Sequence, residues 1–96
     1  DDFSLVFPSE FNGLDLYIEV TMENGVRSTT VYETSSPDYL LRISACYPKD
    51  TQEHKSASTL VLAEKANVTY LLDCGPNCPI PPEAIAEKFR VHTQIV

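Results

Sequence analysis

Two cysteines separated by three residues have the spacing that is closest to a chemical motif in this sequence. Cys74 and Cys78 flank Gly75-Pro76-Asn77 and follow an apolar, strand-like run. A thioredoxin-type redox motif has two residues between its cysteines and places the first at a helix start. Gly, Pro and Asn instead form a strong turn sequence, which can bring two sulfurs within bonding distance. The sequence therefore predicts a Cys74–Cys78 disulfide that holds a turn.

The third cysteine, Cys46, is left without a partner if that disulfide forms. We expect an unpaired thiol at the surface, or an intermolecular disulfide through Cys46. A structural zinc site is the less favoured alternative, because it needs four ligands and the two histidines show no metal-site spacing. His54 lies in a polar segment and His92 points outward on the last predicted strand. No metal or cofactor is therefore expected.

Motifs for catalysis are not found. The sequence has no Gly-x-Ser-x-Gly elbow and no glycine-rich phosphate loop. The segment from Asp50 to His54 contains carboxylates and an imidazole, but a polar segment of mixed charge is typical of a solvated loop. We predict that the chain is not an enzyme, and a hydrolase or inhibitor domain is the least favoured alternative.

The clearest structural pattern is a strand from Leu14 to Met22, in which apolar and polar residues alternate. We expect its apolar stripe to be buried. Asn24-Gly25 follows, and this pair favours a tight hairpin because both residues tolerate positive φ. Six further strands are predicted: Phe3–Phe7, Val26–Glu33, Tyr39–Cys46, Thr59–Ala63, Val68–Leu72 and Phe89–Ile95. The strands before and after a second hairpin, Glu64 to Asn67, are continuously apolar and are expected in the centre of a sheet.

Seven short strands with little helical periodicity predict an all-β fold, an antiparallel immunoglobulin-like β-sandwich. It would be a variant, because the chain has no Trp and Tyr70 precedes Cys74 by four residues instead of two. One short helical turn is expected from Pro82 to Lys88, since proline suits the first turn of a helix. At 96 residues the chain is predicted to be one domain, 1–96.

Charge and processing signals indicate a compartment. Acidic residues outnumber basic ones 14 to 7, which makes nucleic acid an unfavourable partner. No apolar run approaches the ~20 residues of a membrane span, so direct membrane insertion is not expected. Asn67-Val68-Thr69 is an N-glycosylation acceptor at a predicted hairpin tip. With the disulfide, it predicts an extracellular location, either secreted or in the ectodomain of a membrane protein. The start at Asp1 without Met indicates a processed mature end or a piece of a larger protein, and we favour the piece.

A candidate ligand-binding face lies on the first long strand. Asp15, Tyr17 and Glu19 alternate with the apolar stripe and should share one exposed face. Acidic side chains attract cationic partners, and an aromatic ring contributes binding energy where it becomes buried. These residues predict a basic protein ligand.

The run from Thr59 to Asp73 resembles a hairpin in the orphan regions of the transforming-growth-factor-β co-receptors endoglin and betaglycan. An apolar triplet, a short turn and a strand of the form Val-x-aromatic-aliphatic follow one another, and a strand ending in Ile43-Ser44-Ala45-Cys46 precedes them. The chain departs from that pattern in having Tyr70 where an indole is usual, and in adding Cys74 and Cys78. The resemblance implies an extracellular β-sandwich that works by binding.

Two functions are predicted on these grounds. The first is a protein-binding or adhesion module of a receptor-like protein, which presents an acidic strand face and loops to its ligand. The alternative is a structural module of an extracellular matrix, filament or egg-coat-like assembly, in which sheet edges and Cys46 join copies.

Overall fold

The protein is a mostly antiparallel β structure, as the alternation predicts. A computed structural model describes residues 3–65 and 67–91. The strands are β1 Phe3–Leu5, β2 Leu16–Glu23, β3 Val26–Glu33, β4 Tyr39–Cys46, β5 Leu60–Lys65, β6 Val68–Cys74 and β7 Phe89–Val91. The helices are short: α1 Thr51–His54, α2 Pro82–Ala86, and 3₁₀ turns at Ser9–Phe11 and Pro48–Asp50. No helix among the described residues is long and apolar enough to cross a membrane.

The strands form a large sheet in the order β2-β3-β4-β6-β5 and a small sheet of β1 and β7. All neighbours pair antiparallel. β2 and β3 are joined by the expected tight turn, in which Asn24 and Gly25 have φ of 53° and 79°. The second hairpin turns more tightly than expected, because β5 continues to Lys65 and pairs there with Val68. Asn67 takes a φ of 66° in that turn.

The main core lies between the two sheets. We call the side of the large sheet that faces the small sheet the core face, and the opposite side the outer face. Tyr70 of β6 contacts the rings of Phe3 and Phe89, with centroid separations of 6.0 and 5.6 Å. Ile85 of α2 is fully buried in the same cluster. The small sheet and α2 therefore close the core over β4, β6 and β5.

The outer face carries a smaller apolar cluster and several buried hydroxyl groups. Val26, Cys46 and Leu71 form the cluster, with Val61 packed against it. The polar connection between β4 and β5 is not wholly irregular, because it contains the Pro48–Asp50 turn and α1. It is tied to the sheet by the Thr59 hydroxyl, which donates to the Asp73 carboxylate at 2.6 Å.

Gly75 fixes how the chain leaves the large sheet. Its N–H donates to the Leu40 carbonyl at 2.8 Å, directly after the end of β6. A Cβ at this position would lie 1.8 Å from the Tyr39 carbonyl oxygen, so only glycine allows this approach. The turn that separates Cys74 from Cys78 therefore begins against β4.

Two predicted elements need correction, and a third is described only in part. The strand predicted from Thr59 to Ala63 is β5, which lies at an edge of the large sheet and not in its centre. The helix predicted from Pro82 to Lys88 ends as an α-helix at Ala86. The last strand is described from Phe89 to Val91, and its predicted continuation to Ile95 lies outside the described residues.

Candidate functional site

The predicted binding residues share the outer face of β2. Tyr17 is 46% exposed, and Asp15 and Glu19 are also exposed. The Tyr17 ring stacks on Tyr32 of β3, with centroids 5.0 Å apart and planes 12° apart. The Asp15 carboxylate accepts a hydrogen bond from the Thr34 hydroxyl at 3.0 Å. Asp15 and Tyr17 therefore have defined positions from which they can meet a ligand, and we call Asp15, Tyr17 and Glu19 the acidic row.

A basic side chain stands near this row. Thr30 of β3 pairs with Glu19 on one side and with Arg42 of β4 on the other. Arg42 donates from Nε to the Thr30 hydroxyl at 3.1 Å, and its guanidinium lies 4.5 Å from the centre of the Tyr39 ring. Sequence reasoning missed Arg42, because only the cross-strand register places it on the outer face two strands from Glu19, across Thr30.

The apolar stripe of the same strand is not buried as predicted. Leu14 and Leu16 pack against the core, but Ile18, Val20 and Met22 are 57%, 58% and 68% exposed. The cause is that the small sheet is narrower than the large sheet. Among the described residues the small sheet has two strands and covers the β4-β6-β5 side of the large sheet, so the core face of β2 is left exposed. We call Ile18, Val20 and Met22 the apolar row.

A groove separates the small sheet from the start of the apolar row. It has a volume of about 130 Å³ and an almost entirely apolar lining. Phe3, Leu5 and Phe7 form one wall, and Ile18 and Val31 belong to the other. The groove therefore extends the exposed apolar surface from the apolar row to the main core, and this added surface is concave.

The outer edge of β2 also presents backbone groups. The Thr34 N–H donates to the Asp15 carbonyl at 2.9 Å, which identifies this pair as a hydrogen-bonded pair. Such pairs alternate along an antiparallel ladder. Because the pairing with β3 is continuous, the odd-numbered residues of β2 bond to β3 and the even-numbered residues point their N–H and C=O outward. The outward groups thus belong to Leu16 and to the apolar row.

A polar cleft lies on the outer face, between the β2-β3 turn and the α1 segment. It has a volume of about 350 Å³, and its lining includes Glu23, Arg42, His54 and Asp73. Arg42 and Asp73 are held by hydroxyl groups of the fold, as described above. Among the residues that the structure describes, no group of three His, Cys, Asp or Glu side chains could hold a metal ion.

Cys74 and Cys78 lie next to each other, both as thiols that pack against the main core. Burial, followed by the charge and hydrogen bond of Cys78, raises the pKa of Cys74 from 9.0 to about 12. A pKa this high leaves the Cys74 thiol protonated and a weak nucleophile at neutral pH. The predicted turn brings the two sulfurs together, and the disulfide itself stays a prediction.

The expectation that Cys46 lies at the surface is wrong. Cys46 is 2% exposed, and its thiol donates to the Thr69 carbonyl across the β4-β6 ladder at 3.7 Å. Burial also raises its pKa, an effect that a hydrogen bond to Thr51 opposes. The number of cysteines predicted that Cys46 has no intrachain disulfide partner, but it contained no information on how deeply Cys46 is buried. An intermolecular bond through Cys46 would require this buried thiol to become exposed by a local opening of the fold.

The predicted glycosylation acceptor Asn67 is exposed at the turn between β5 and β6. Its glycosylation stays a prediction. The third residue of the acceptor, Thr69, is 1% exposed, and its hydroxyl has no hydrogen-bond partner within the described residues. Thr69 therefore belongs to the interior of the folded chain, while Asn67 remains accessible.

Comparison with known proteins adds no assignment. No protein-family model, no curated protein and no solved structure matches the chain. A functional proposal therefore depends on the surface of β2.

Proposed function

We propose that this chain is an extracellular protein-binding module with an immunoglobulin-like sandwich fold, part of a receptor-like or adhesion protein. The observation that carries the proposal is the acidic row, exposed on an ordered strand. Two antiparallel sheets packed around one core support the sandwich fold. The predicted disulfide and the exposed Asn67 support the extracellular location.

In the proposed mechanism, charged residues accelerate association and the Tyr17 ring slows dissociation. The chain carries a net charge of −7, which steers cationic ligands and accelerates their encounter. Asp15 and Glu19 add local charge on the outer face. The half-exposed Tyr17 ring is a rigid anchor that gains contact area when a ligand covers it. We propose a basic protein as the ligand.

The proposal is tested by screening the chain against a panel of purified secreted and cell-surface proteins, followed by kinetic measurement on the partner found. Replacing Asp15 and Glu19 by Ala should slow association several-fold and flatten its dependence on salt. Tyr17→Ala should chiefly accelerate dissociation. Glu64→Ala, at the opposite edge of the large sheet, removes one carboxylate and is the charge-matched control for each single replacement. Binding that ignores salt and all three substitutions would contradict the proposal.

The open edge of β2 favours a second function, that of a structural module in an extracellular assembly. Edge strands with free backbone groups join copies in filaments and fibres. Sedimentation over a range of concentrations distinguishes the two functions, because an assembly module associates with itself and a receptor module stays monomeric.

A further inference from the structure

We propose that the edge of β2 accepts an extended segment of a partner protein as an added antiparallel strand, with apolar and basic residues alternating along that segment. This inference rests on the proposed function and specifies the binding mode of the same surface. β-Augmentation of this kind obtains affinity from backbone hydrogen bonds and selectivity from alternate side chains.

The backbone of β2 is prepared for such pairing. β2 is eight residues long and pairs with β3 without a bulge. Its sequence, LYIEVTME, contains no Pro, Gly, Lys or Arg, the residues that commonly protect an exposed edge. No described strand lies on its outer side. An incoming strand would bond to the outward N–H and C=O groups of Leu16, Ile18, Val20 and Met22.

The side chains of β2 determine which segment fits. Cross-strand partners lie on the same face of a sheet, so residues opposite the apolar row would extend the core face. They would be apolar and would cover Ile18 beside the groove. The alternate residues of the segment would face Glu19 and Glu23 on the outer face, where Lys or Arg gives favourable cross-strand pairs. The chemistry therefore selects a segment of the pattern apolar-basic-apolar-basic.

A second copy of this chain fits the edge less well. Its own β2 would supply apolar residues on one face, but acidic residues on the other. β2 contains no Lys or Arg, so no register between two copies of β2 places a basic residue opposite an acidic one. In the register centred on Glu19, two Glu19 side chains oppose each other and Asp15 opposes Glu23. Like charges directly opposite destabilise a sheet, and each copy already carries −7. Charge complementarity thus favours a basic partner strand.

The test uses the whole chain and a synthetic eight-residue peptide that alternates Val with Lys. In the proposed antiparallel register, the Val residues point their N–H groups toward β2 and the Lys residues point theirs to solvent. N-methylation of one central Val should weaken binding by about tenfold or more, because it removes a buried hydrogen bond and adds a steric block. N-methylation of the adjacent Lys should change binding by about twofold or less. Electrostatic attachment without strand pairing would make the two methylated peptides equivalent and would overturn the inference.

Variants of the chain provide the reciprocal test. Val20→Pro removes an outward N–H and should weaken peptide binding by about tenfold or more, since that N–H donates to no neighbouring strand in the fold. Val20→Lys keeps the backbone donor but places a charge opposite an apolar Val of the peptide on the core face, so it should also weaken binding, and it is the second variant if the proline destabilises the fold. Val6→Lys is the control, because Val6 is 65% exposed but lies outside β2. Unchanged binding to Val20→Pro that remains folded would overturn the inference.

Amide hydrogen exchange links the two tests. In the free chain, the amides of Ile18, Val20 and Met22 should exchange faster than those of Tyr17, Glu19 and Thr21, and peptide should slow the first set selectively. If a natural partner binds through Asp15 and Glu19 but leaves the exchange of the first set unchanged, the proposed function stands and this inference fails. If the edge amides become protected while binding of the partner ignores Asp15 and Glu19, strand addition stands, but the role of the acidic row and the basic residues proposed for the partner segment fail.

Discussion

The two edges of the large sheet differ in almost every feature that controls strand pairing. β2 is long and regular, and its apolar row is exposed. β5 is shorter, its register shifts between Val61 and Ala63, and it ends in Glu64 and Lys65. α2 and β7 also contact β5, whereas the small sheet leaves β2 uncovered. A bulge and covering elements are two usual means by which a protein protects an edge, and this chain applies both to β5 only, while the charges of β2 are all acidic.

The exposure of β2 is therefore not a general property of a small β domain. In the same fold, the other edge is closed by α2 and by the register shift in β5. An apolar stripe of this kind on a monomer commonly marks a contact surface. Substitutions on the β5 side and on the β2 side should therefore have different effects on stability.

The largest contrast should appear between two isoleucines. Ile85 of α2 is fully buried on the closed side, whereas Ile18 of β2 is mostly exposed. Ile85→Ala should lower the free energy of unfolding by about 2–5 kcal/mol, because it removes buried methyl groups and leaves a cavity. Ile18→Ala should lower it by about 1 kcal/mol or less. Urea unfolding of both variants measures the contrast, and equal losses would show that β2 is covered in the free chain.

A smaller effect is expected from the thiols at the closed side. Because burial and Cys78 raise the pKa of Cys74 to about 12, the folded chain keeps a proton that the unfolded chain loses near pH 9. The unfolded state then binds fewer protons, so the stabilising contribution is fully present below about pH 9 and is lost as pH rises toward about 12. The measurement is the urea midpoint of the reduced chain against pH, relative to Cys74→Ala.

Oxidation is the control for the thiol prediction. A Cys74–Cys78 disulfide has no proton to lose, so the oxidised chain should lack the alkaline decline that we assign to Cys74. Mass spectrometry after non-reducing digestion identifies the bond. If both thiols react with alkylating reagents in the native chain kept under air, the predicted disulfide is wrong.

The smallest effect is expected at the turn of the closed edge. Asn67 has a φ of 66°, a conformation that costs a residue with a Cβ about 1–2 kcal/mol but that Asn tolerates. Asn67→Ala should therefore destabilise the unglycosylated chain by about 1 kcal/mol, and Asn67→Gly should be close to neutral. Thermal unfolding of the two variants gives the comparison. A neutral Asn67→Ala would indicate that the turn relaxes to another conformation.

Much of the fold could be predicted from local patterns. Alternation located β2, and Asn24-Gly25 fixed the turn to β3, because both signals arise from neighbouring residues. The position of a strand within the sheet is not determined by residues that are neighbours in the sequence. A continuously apolar run such as Thr59–Ala63 has the same composition in the centre and at a covered edge, so β5 was misplaced. Alternation assigns Tyr17 and Val20 to opposite faces of β2, and this was enough to predict that Tyr17 is exposed. It does not tell how wide the opposing sheet is, so it could not predict that Val20 is exposed too.

The candidate site was therefore only half visible in the sequence. Asp15, Tyr17 and Glu19 could be found because charged residues beside an aromatic residue suggest exposure by themselves. The apolar row resembled any core stripe. One sequence signal did point to it: the predicted strands at the two ends of the chain are too few to cover a sheet built from all the others. Arg42 could not be found without the register that places it across Thr30.

The pairing of β1 with β7 joins the two ends of the described chain, with Phe3 opposite Val91. Most other pairings connect neighbouring hairpin strands, which close small loops and form quickly. The small sheet has the highest sequence separation of any described pairing, and three residues of each of its strands are described. We therefore expect it to form last during folding and to open first under load. A force that pulls the two ends apart would peel away one wall of the groove before it disturbed β2, so tension along the chain would reshape the binding surface while its edge strand remained intact.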